Sequence, residues 1–575
     1  FILISASRAA ETEPNNDRAS ANTLALNGNN TGVINPAGDQ DWWKVTTTAD
    51  GKLDITLTPL GGHLTWIYLY DNNGTSELAS SNANTTFTVT KDGLAAGTYY
   101  IKIICYFASD TSNYNISDAL TTPAQANDAE PNDTKAQAIT LALNNSTTGH
   151  AGYYYNLHRD TSDWYKLTTN ADGRIQLSLT PANGKIVWVY LYDNNGTTLL
   201  TSANSGTPFT TSKDGLAAGT YYVRVICYFA NSDYAPYTLK DSLFTPTQAN
   251  DVEPNDSRAT AVSLAANKKV TGHVGYYYNL KRDTADWYKI TLKNDGLLRL
   301  SLTPHAGFIA WIYLYDNNGT TVIASANANN TFTVNADGLA AGIFYVKVSC
   351  YFASDYTPYT LTDTLFTYAN AQDAESNARP YLAKTMPANG TSTGHVGFYY
   401  NNSRDTVDWW KINYTGTGAL TVIANFEPRK VQGTNSLTYM EIWKDTLAAP
   451  IYSNNTDHPS LVAQLNSLTQ GYYWVRVRCY FASEFQSYSL LDTFTQVNIA
   501  AVKATSYDTA ASCSNINSVT FSCSGSSAPY TVKLYRYNVL YATKTAKVKN
   551  ITFDSLPVGS YYAKAWGDGA TGNAF

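Results

Sequence analysis

No apolar run in this chain approaches the ~18 residues that a transmembrane helix requires, which excludes a helical membrane span. Basic residues are scarce, 39 against 45 acidic ones, and the net charge of −6 spread over 575 residues leaves no footprint for nucleic acid and no polybasic membrane patch. Methionine occurs twice and charged residues make up only 15%. In their place stand 45 tyrosines amid threonine, asparagine, serine and glycine, the composition of a secreted, all-β protein with a neutral polar surface. Catalytic signatures are missing as well: there is no Gly-x-Ser-x-Gly, no His-Glu-x-x-His and no phosphate-cradling glycine loop.

What the chain does have is repetition. Asp41-Trp42-Trp43-Lys44 returns as Asp163-Trp164-Tyr165-Lys166, Asp286-Trp287-Tyr288-Lys289 and Asp408-Trp409-Trp410-Lys411, a period of 122 to 123 residues. That is the size of a domain rather than of a solenoid turn. Cys105-Tyr106-Phe107-Ala108, Cys227-Tyr228-Phe229-Ala230 and Cys350-Tyr351-Phe352-Ala353 keep the same register, and Cys479-Tyr480-Phe481-Ala482 follows in the drifted fourth copy. Carboxylates are plentiful, but they stand in turn contexts shared by the copies, so no glycosidase pair is supported and the reading is of a non-enzyme.

Leu53 to Thr58 alternates apolar and polar residues, and Trp66-Ile67-Tyr68-Leu69-Tyr70 forms a second strand that ends in an Asp71-Asn72-Asn73-Gly74 turn. Period-2 parity puts Cys105 on the inward face with Ile101 and Ile103, so each repeat's lone cysteine reads as a small buried hydrophobe. Helical pattern is absent except for a short apolar stretch, Ala136 to Leu141. The sequence therefore predicts an antiparallel β-sandwich per repeat, with Pro-marked joints too short for floppy tethers, hence a semi-rigid rod. The expected domains are residues 11–126, 127–249, 250–371 and a drifted fourth copy at 372–496, followed by a small immunoglobulin-like domain at 497–575. In that tail Cys513 and Cys523 have a spacing that suits a disulfide between neighbouring strands.

Glu130-Pro131-Asn132-Asp133, Asp163-Trp164-Tyr165, Leu191-Tyr192-Asp193 and Gly215-Leu216-Ala217-Ala218-Gly219-Thr220-Tyr221-Tyr222 follow one another in order within a copy. Through these motifs the repeats resemble the bacterial pre-peptidase C-terminal domain family, over about 485 of the 575 residues. The resemblance implies a jelly-roll-like sandwich on secreted bacterial proteins, usually trailing a peptidase as a targeting or binding accessory. The tail more loosely resembles immunoglobulin-like repeats on surface adhesins of gliding Bacteroidetes.

The acidic opening of each repeat is the main candidate for chemistry. Glu11, Glu13, Asn15 and Asp17, then Asp128, Glu130, Asn132 and Asp133, then Asp251, Glu253, Asn255 and Asp256 gather hard oxygen ligands within seven residues. Asp39 and Asp41, Asp160 and Asp163, and Asp283 and Asp286 add a second acidic pair before each Trp. Ca²⁺ takes six to eight oxygens, and such a loop can supply them; the competing reading is that these side chains cap turns. Relatives such as collagenase collagen-binding domains imply the metal reading. The fourth repeat keeps Asp373, Glu375 and Asn377 but has Ala378 where an Asp stood, which puts its site in doubt. The lone His150, His273 and His395 read as structural. Tyr153-Tyr154-Tyr155, Tyr276-Tyr277-Tyr278 and Phe398-Tyr399-Tyr400 have no counterpart in the first repeat, so they are expected to pack against the preceding module; the alternative is stacking on sugars.

Asp-Ser/Thr-apolar triplets at Ser242, Thr284, Thr364, Thr406, Thr446, Thr509 and Ser555 resemble an O-glycosylation signal of Bacteroidetes secreted proteins. The first ten residues read either as a signal-peptide remnant or as a strand, Phe1-Ile2-Leu3-Ile4, donated to a neighbouring subunit. The expected function is a structural subunit of an extracellular bacterial filament or appendage, a homopolymer assembled head to tail with itself as partner. The alternatives are an adhesin array that grips glycans or matrix, or the accessory region of a secreted peptidase.

Overall fold

The computed structural model describes residues 10–230, 232–444, 449–496, 499–507, 515–525, 529–557 and 561–566. Phe1 to Ile4, Cys513, Thr446 and Thr509 lie outside the described residues, as does the side chain of Cys523. The fold is all-β, and the helical pieces among the described residues are three 3₁₀ turns, Lys135–Gln137, Arg258–Thr260 and Pro380–Leu382. The apolar Ala136 to Leu141 is thus no helix. Its residues Ile139–Leu141 form a strand parallel to Tyr165–Leu167, because burying Leu141 in the sandwich outweighs the helical preference of three residues.

The chain folds as two compact units. One runs to Asn250 and takes in Gly275–Thr284 and Ala353–Thr357; the other holds Asp251–Val274, Ala285–Phe352 and Pro358 onward. In the first unit, repeat 1 pairs two sheets. One has the order Asn22–Thr23, Asp41–Thr47, Gly97–Cys105, Thr65–Tyr70, Glu77–Ala83, and the other places Gly51–Pro59 between Phe87–Leu94 and Ser112–Thr121, with Asn29–Ile34 at one edge. Alternation does the work here: along Gly51–Pro59 every second residue is buried, and Leu53, Ile55 and Leu57 meet Ile67, Leu69, Ile101 and Ile103 in the core. Repeat 2 repeats this order in the same unit, and repeats 3 and 4 repeat it in the second. Cys105, Cys227 and Cys479 are buried and Cys350 half-buried, all as free thiols. The tail has two three-stranded sheets around Phe521, Val532, Leu534, Ile551 and Phe553.

The tyrosine triplets behave as expected of packing inserts. Tyr154–Tyr155 and His158–Arg159 form a hairpin whose two-residue loop, Asn156 and Leu157, has φ of 50° and 66°. The hairpin adds to the sheet of repeat 1, with Tyr154 opposite Leu94, and Tyr155 packs edge-on against core Tyr99 at 5.9 Å. Tyr277 joins Leu216 of repeat 2 in the same way, and in the second unit Tyr399 joins Leu339 of repeat 3. Fully buried Asp71 seals the joint by accepting bonds from the Asn156 and Leu157 N–H groups at 2.9 and 2.7 Å. Asp193 receives Asn279 and Leu280, and Asp316 receives Asn401 and Asn402. His150 and His395, which precede two of the hairpins, add a second tie. His150 Nδ1 lies 3.0 Å from Asp50 of repeat 1 and Nε2 2.8 Å from the Gln125 carbonyl, and His395 stands likewise between Asp295 and the Asn370 carbonyl at 3.0 and 2.9 Å.

Candidate metal centres

Two segments far apart in each repeat are stitched together by one backbone bond. The Trp164 N–H donates to the Asn132 carbonyl at 3.0 Å, and the same bond joins Trp42 to Asn15, Trp287 to Asn255 and Trp409 to Asn377. It fastens the Glu-Pro-Asn opening onto the first residues of the Asp-Trp strand, so that their acids converge. Oxygens of Asp128, Glu130 and Asp163 all lie within 4.8 Å of one another, as do those of Glu11, Glu13 and Asp41, of Asp251, Glu253 and Asp286, and of Asp373, Glu375 and Asp408.

The surroundings orient these carboxylates without neutralising them. Asp128 accepts bonds from Asn132 Nδ2 at 2.7 Å and the Tyr165 hydroxyl at 2.6 Å, and Tyr237 donates to Asp163 from beneath. Repeats 1 and 4 carry Trp43 and Trp410 in place of that first tyrosine, and each indole N–H instead donates to the lower tyrosine, Tyr114 or Tyr488, at 2.9 or 2.8 Å. Gly149 makes room for this layer, since a Cβ there would come within 2.4 Å of the Tyr237 hydroxyl oxygen.

Burial, reinforced by neighbouring carboxylates, pushes Asp41 and Asp160 up to about 8 and Glu130 up to about 7. In repeat 4 the same cause raises Glu375 to about 8 and Asp405 to about 6, and Asp163 and Asp408 are held well above the usual carboxylate range. The amide oxygens of Asn15, Asn132, Asn255 and Asn377 are buried with no hydrogen-bond donor, as is one oxygen each of Asp163 and Asp408. Acceptors without donors, set among carboxylates, could hold a hard divalent cation.

Of the residues expected in these centres, Glu11, Glu13, Asn15, Asp41, Asp128, Glu130, Asn132, Asp163, Asp251, Glu253, Asn255 and Asp286 come together, with Asp160 beside Asp163. Asp17, Asp133 and Asp256 do not; they are exposed, and Asp17 caps a turn through the Ser20 N–H at 2.9 Å. Asp39 accepts bonds from the Asn35 and Gln40 N–H groups. Because the position after the asparagine faces outward, Ala378 costs repeat 4 nothing, and its cluster is complete. Of the triplet hydroxyls, those of Thr284, Thr406 and Ser555 are exposed, whereas Ser242 and Thr364 are half-buried in strands beside Asp241 and Asp363, which cap loops through two N–H groups each.

Compared with known proteins, residues 161–226 match the family model of the bacterial pre-peptidase C-terminal domain, a non-catalytic accessory domain. No curated protein matches the chain. Among solved structures, the chain is similar to the pre-peptidase C-terminal domain of collagenase from Bacillus anthracis, at 13% identity over 19% of this chain and 94% of that one, with a TM-score of 0.16. The human OSCAR ligand-binding domain matches at 13% identity over 27% of this chain and 88% of that one, with a TM-score of 0.13. Domains d3–d4 of the rat CD45 extracellular region match at 16% identity over 15% and 51%, with a TM-score of 0.12.

Proposed function

We propose that this chain is a non-catalytic structural subunit of an extracellular bacterial surface assembly, its sandwiches braced by calcium at the four acid clusters. The observation that carries this reading is the joint: each hairpin extends the preceding repeat's sheet and is locked by a buried aspartate. A catalytic scaffold has no need to fuse its accessory copies in this way, whereas a chain that transmits force does. Glu11, Glu13 and Asp41 with the Asn15 amide oxygen, and their counterparts in the other repeats, would hold the ion. The ion would cancel the repulsion among the carboxylates and give the orphaned amide oxygen its partner. Each site gathers acids from the opening and the Asp-Trp strand of one repeat, so binding would brace that sandwich.

Electron microscopy of the purified full-length chain in calcium and in chelator tests the proposal. Regular filaments or end-to-end oligomers are expected in calcium. Isolated particles under both conditions, with the same melting curve in each, would overturn it.

A further inference from the structure

All four repeats end the cysteine strand in the same pair of exposed rings. Tyr106 and Phe107 stand perpendicular with centroids 5.0 Å apart, and Tyr228–Phe229, Tyr351–Phe352 and Tyr480–Phe481 repeat the arrangement at 4.9, 4.8 and 4.7 Å. The phenylalanine is 58, 56, 57 and 53% exposed in the four copies, so it contributes little to any core. Each tyrosine continues a column of near-parallel rings on the outer face of the sheet. Trp66, Trp188 and Trp311 stack on it at 6.2, 6.3 and 5.9 Å, and Tyr439 does so at 5.7 Å in repeat 4.

Comparison between copies separates fold from use. Repeat 4 has changed much of its surface: where strand pairing places Tyr68 in repeat 1 it has Glu441, and its Asp-Asn-Asn-Gly turn is gone. Core positions persist because packing demands them. The exposed Tyr480–Phe481 pair persists with no such demand, at unchanged geometry.

We infer that these four pairs are copies of one stacking platform for a neutral polysaccharide. Exposed aromatic faces next to a tyrosine hydroxyl suit the apolar face and hydroxyl rim of a pyranose ring. The charge around them points to an uncharged ligand. Asp233 and Glu484, each donating its N–H to the phenylalanine carbonyl, pair with Lys185 and Arg429, and Asp110, which does the same, hydrogen-bonds His63, so no surplus cation awaits an anionic polymer. Two rings are too small for a protein partner, which needs roughly 800 Å² per side, yet they match one sugar unit. A weak site copied once per repeat suits a ligand that is itself a repeating chain, where avidity multiplies modest contacts.

The test is depletion of the full-length chain by insoluble cellulose, chitin and β-1,3-glucan, with heparin beads as the charged control. Retention on at least one neutral polymer, and its release by that polymer's oligosaccharide, is expected. F107A alone should weaken retention about two- to fivefold, and F107A/F229A/F352A/F481A together about 100-fold or more. A set with Phe→Tyr at the four sites keeps the rings and should retain within twofold of the parent. Retention on heparin only, on no polymer, or undiminished in the fourfold alanine variant would overturn the proposal. If the alanine variant melts early, the tyrosine set decides: its loss of retention would overturn the proposal, and its binding would sustain it.

Discussion

In the third repeat the edge strand Phe332–Leu339 receives the hairpin of the fourth; in the fourth repeat the matching strand, Ser460–Leu468, closes its sheet with no further strand among the described residues. Register identifies what changed. Asp316, which holds the hairpin loop, becomes Lys444; Asp295, which ties His395, becomes Thr417; and Gly338, at φ of 72° beneath Phe485, becomes Ser467. Repeat 3 leaves a place on Phe344 that Tyr400 fills from the next repeat, at 5.7 Å. In repeat 4 nothing among the described residues stands within 4 Å of a Cβ built on Gly471, the counterpart of the Gly342 that Tyr400 covers, and Tyr414, at the register position of Leu292, packs 5.7 Å from Tyr473 and stacks on Phe494 at 4.3 Å. A receiving repeat is therefore one that presents an aspartate and a glycine to its neighbour's hairpin, and repeat 4 has replaced both.

The largest effect should fall on what the two repeats share. Removing divalent cations should destabilise both, since both keep the acid cluster, and calcium at about 100 times its Kd adds roughly 2.7 kcal/mol per site. Calorimetry in calcium and in chelator reads this, and a calcium shift unaltered by Asp408→Ala would place the ion elsewhere. The pH dependence has a defined sign. Glu375 and Asp160 titrate near 8 in the folded, metal-free chain against about 4 when unfolded, so between those values the folded state holds the extra protons. Stability in chelator is fully present below about pH 4 and is lost as pH rises through 8, whereas calcium, which needs the ionised acids, stabilises more as pH rises. The melting-temperature increment that calcium adds should be larger at pH 8 than at pH 5, and an equal or smaller increment at pH 8 would contradict this assignment.

Next in size is the lock. Asp316→Lys copies repeat 4 into repeat 3 and strips the Asn401 and Asn402 N–H groups of their acceptor, at a cost of about 3 kcal/mol. Hydrogen exchange at those two amides should accelerate; unchanged protection would show that the aspartate holds nothing. Gly338→Ser forces a left-handed φ on a side chain whose Cβ would come 2.3 Å from Phe485, and should cost about 1–3 kcal/mol in denaturant unfolding. The smallest change is expected from Lys444→Asp, within about 0.5 kcal/mol, because repeat 4 has no hairpin for it to hold. A loss above 1 kcal/mol would reveal an unrecognised role for that lysine.

Much of this was legible in the sequence because it is local. Strand parity placed the cysteines inside, and the absence of the tyrosine insert from repeat 1 pointed to packing on a preceding neighbour. The joint itself was not legible. Asp71 satisfies every local requirement of an Asp-Asn-Asn-Gly turn, so nothing nearby signals that its carboxylate serves an asparagine 85 positions away. His150 reads as a lone histidine for the same reason, its partner Asp50 standing 100 residues back. The acid clusters were half legible: composition named the ligands, but only the bond from Trp164 to Asn132 decides which acids turn inward, and it turns Asp133 out.

The docking hairpin also governs how such a gene can lengthen. A central repeat carries a hairpin at its start and a vacant edge at its end, so a duplicate of repeat 2 or 3 inserted beside its parent finds both halves of the joint ready-made. A second copy of repeat 4 placed after the first would present its hairpin to Lys444 and Ser467, where an aspartate and a glycine are needed. A second copy of repeat 1 placed ahead of the first would bring no hairpin to dock, since Val33-Ile34-Asn35-Pro36 stands where the insert belongs. A joint of this kind is thus copied whole only when a repeat that carries both halves of it is duplicated.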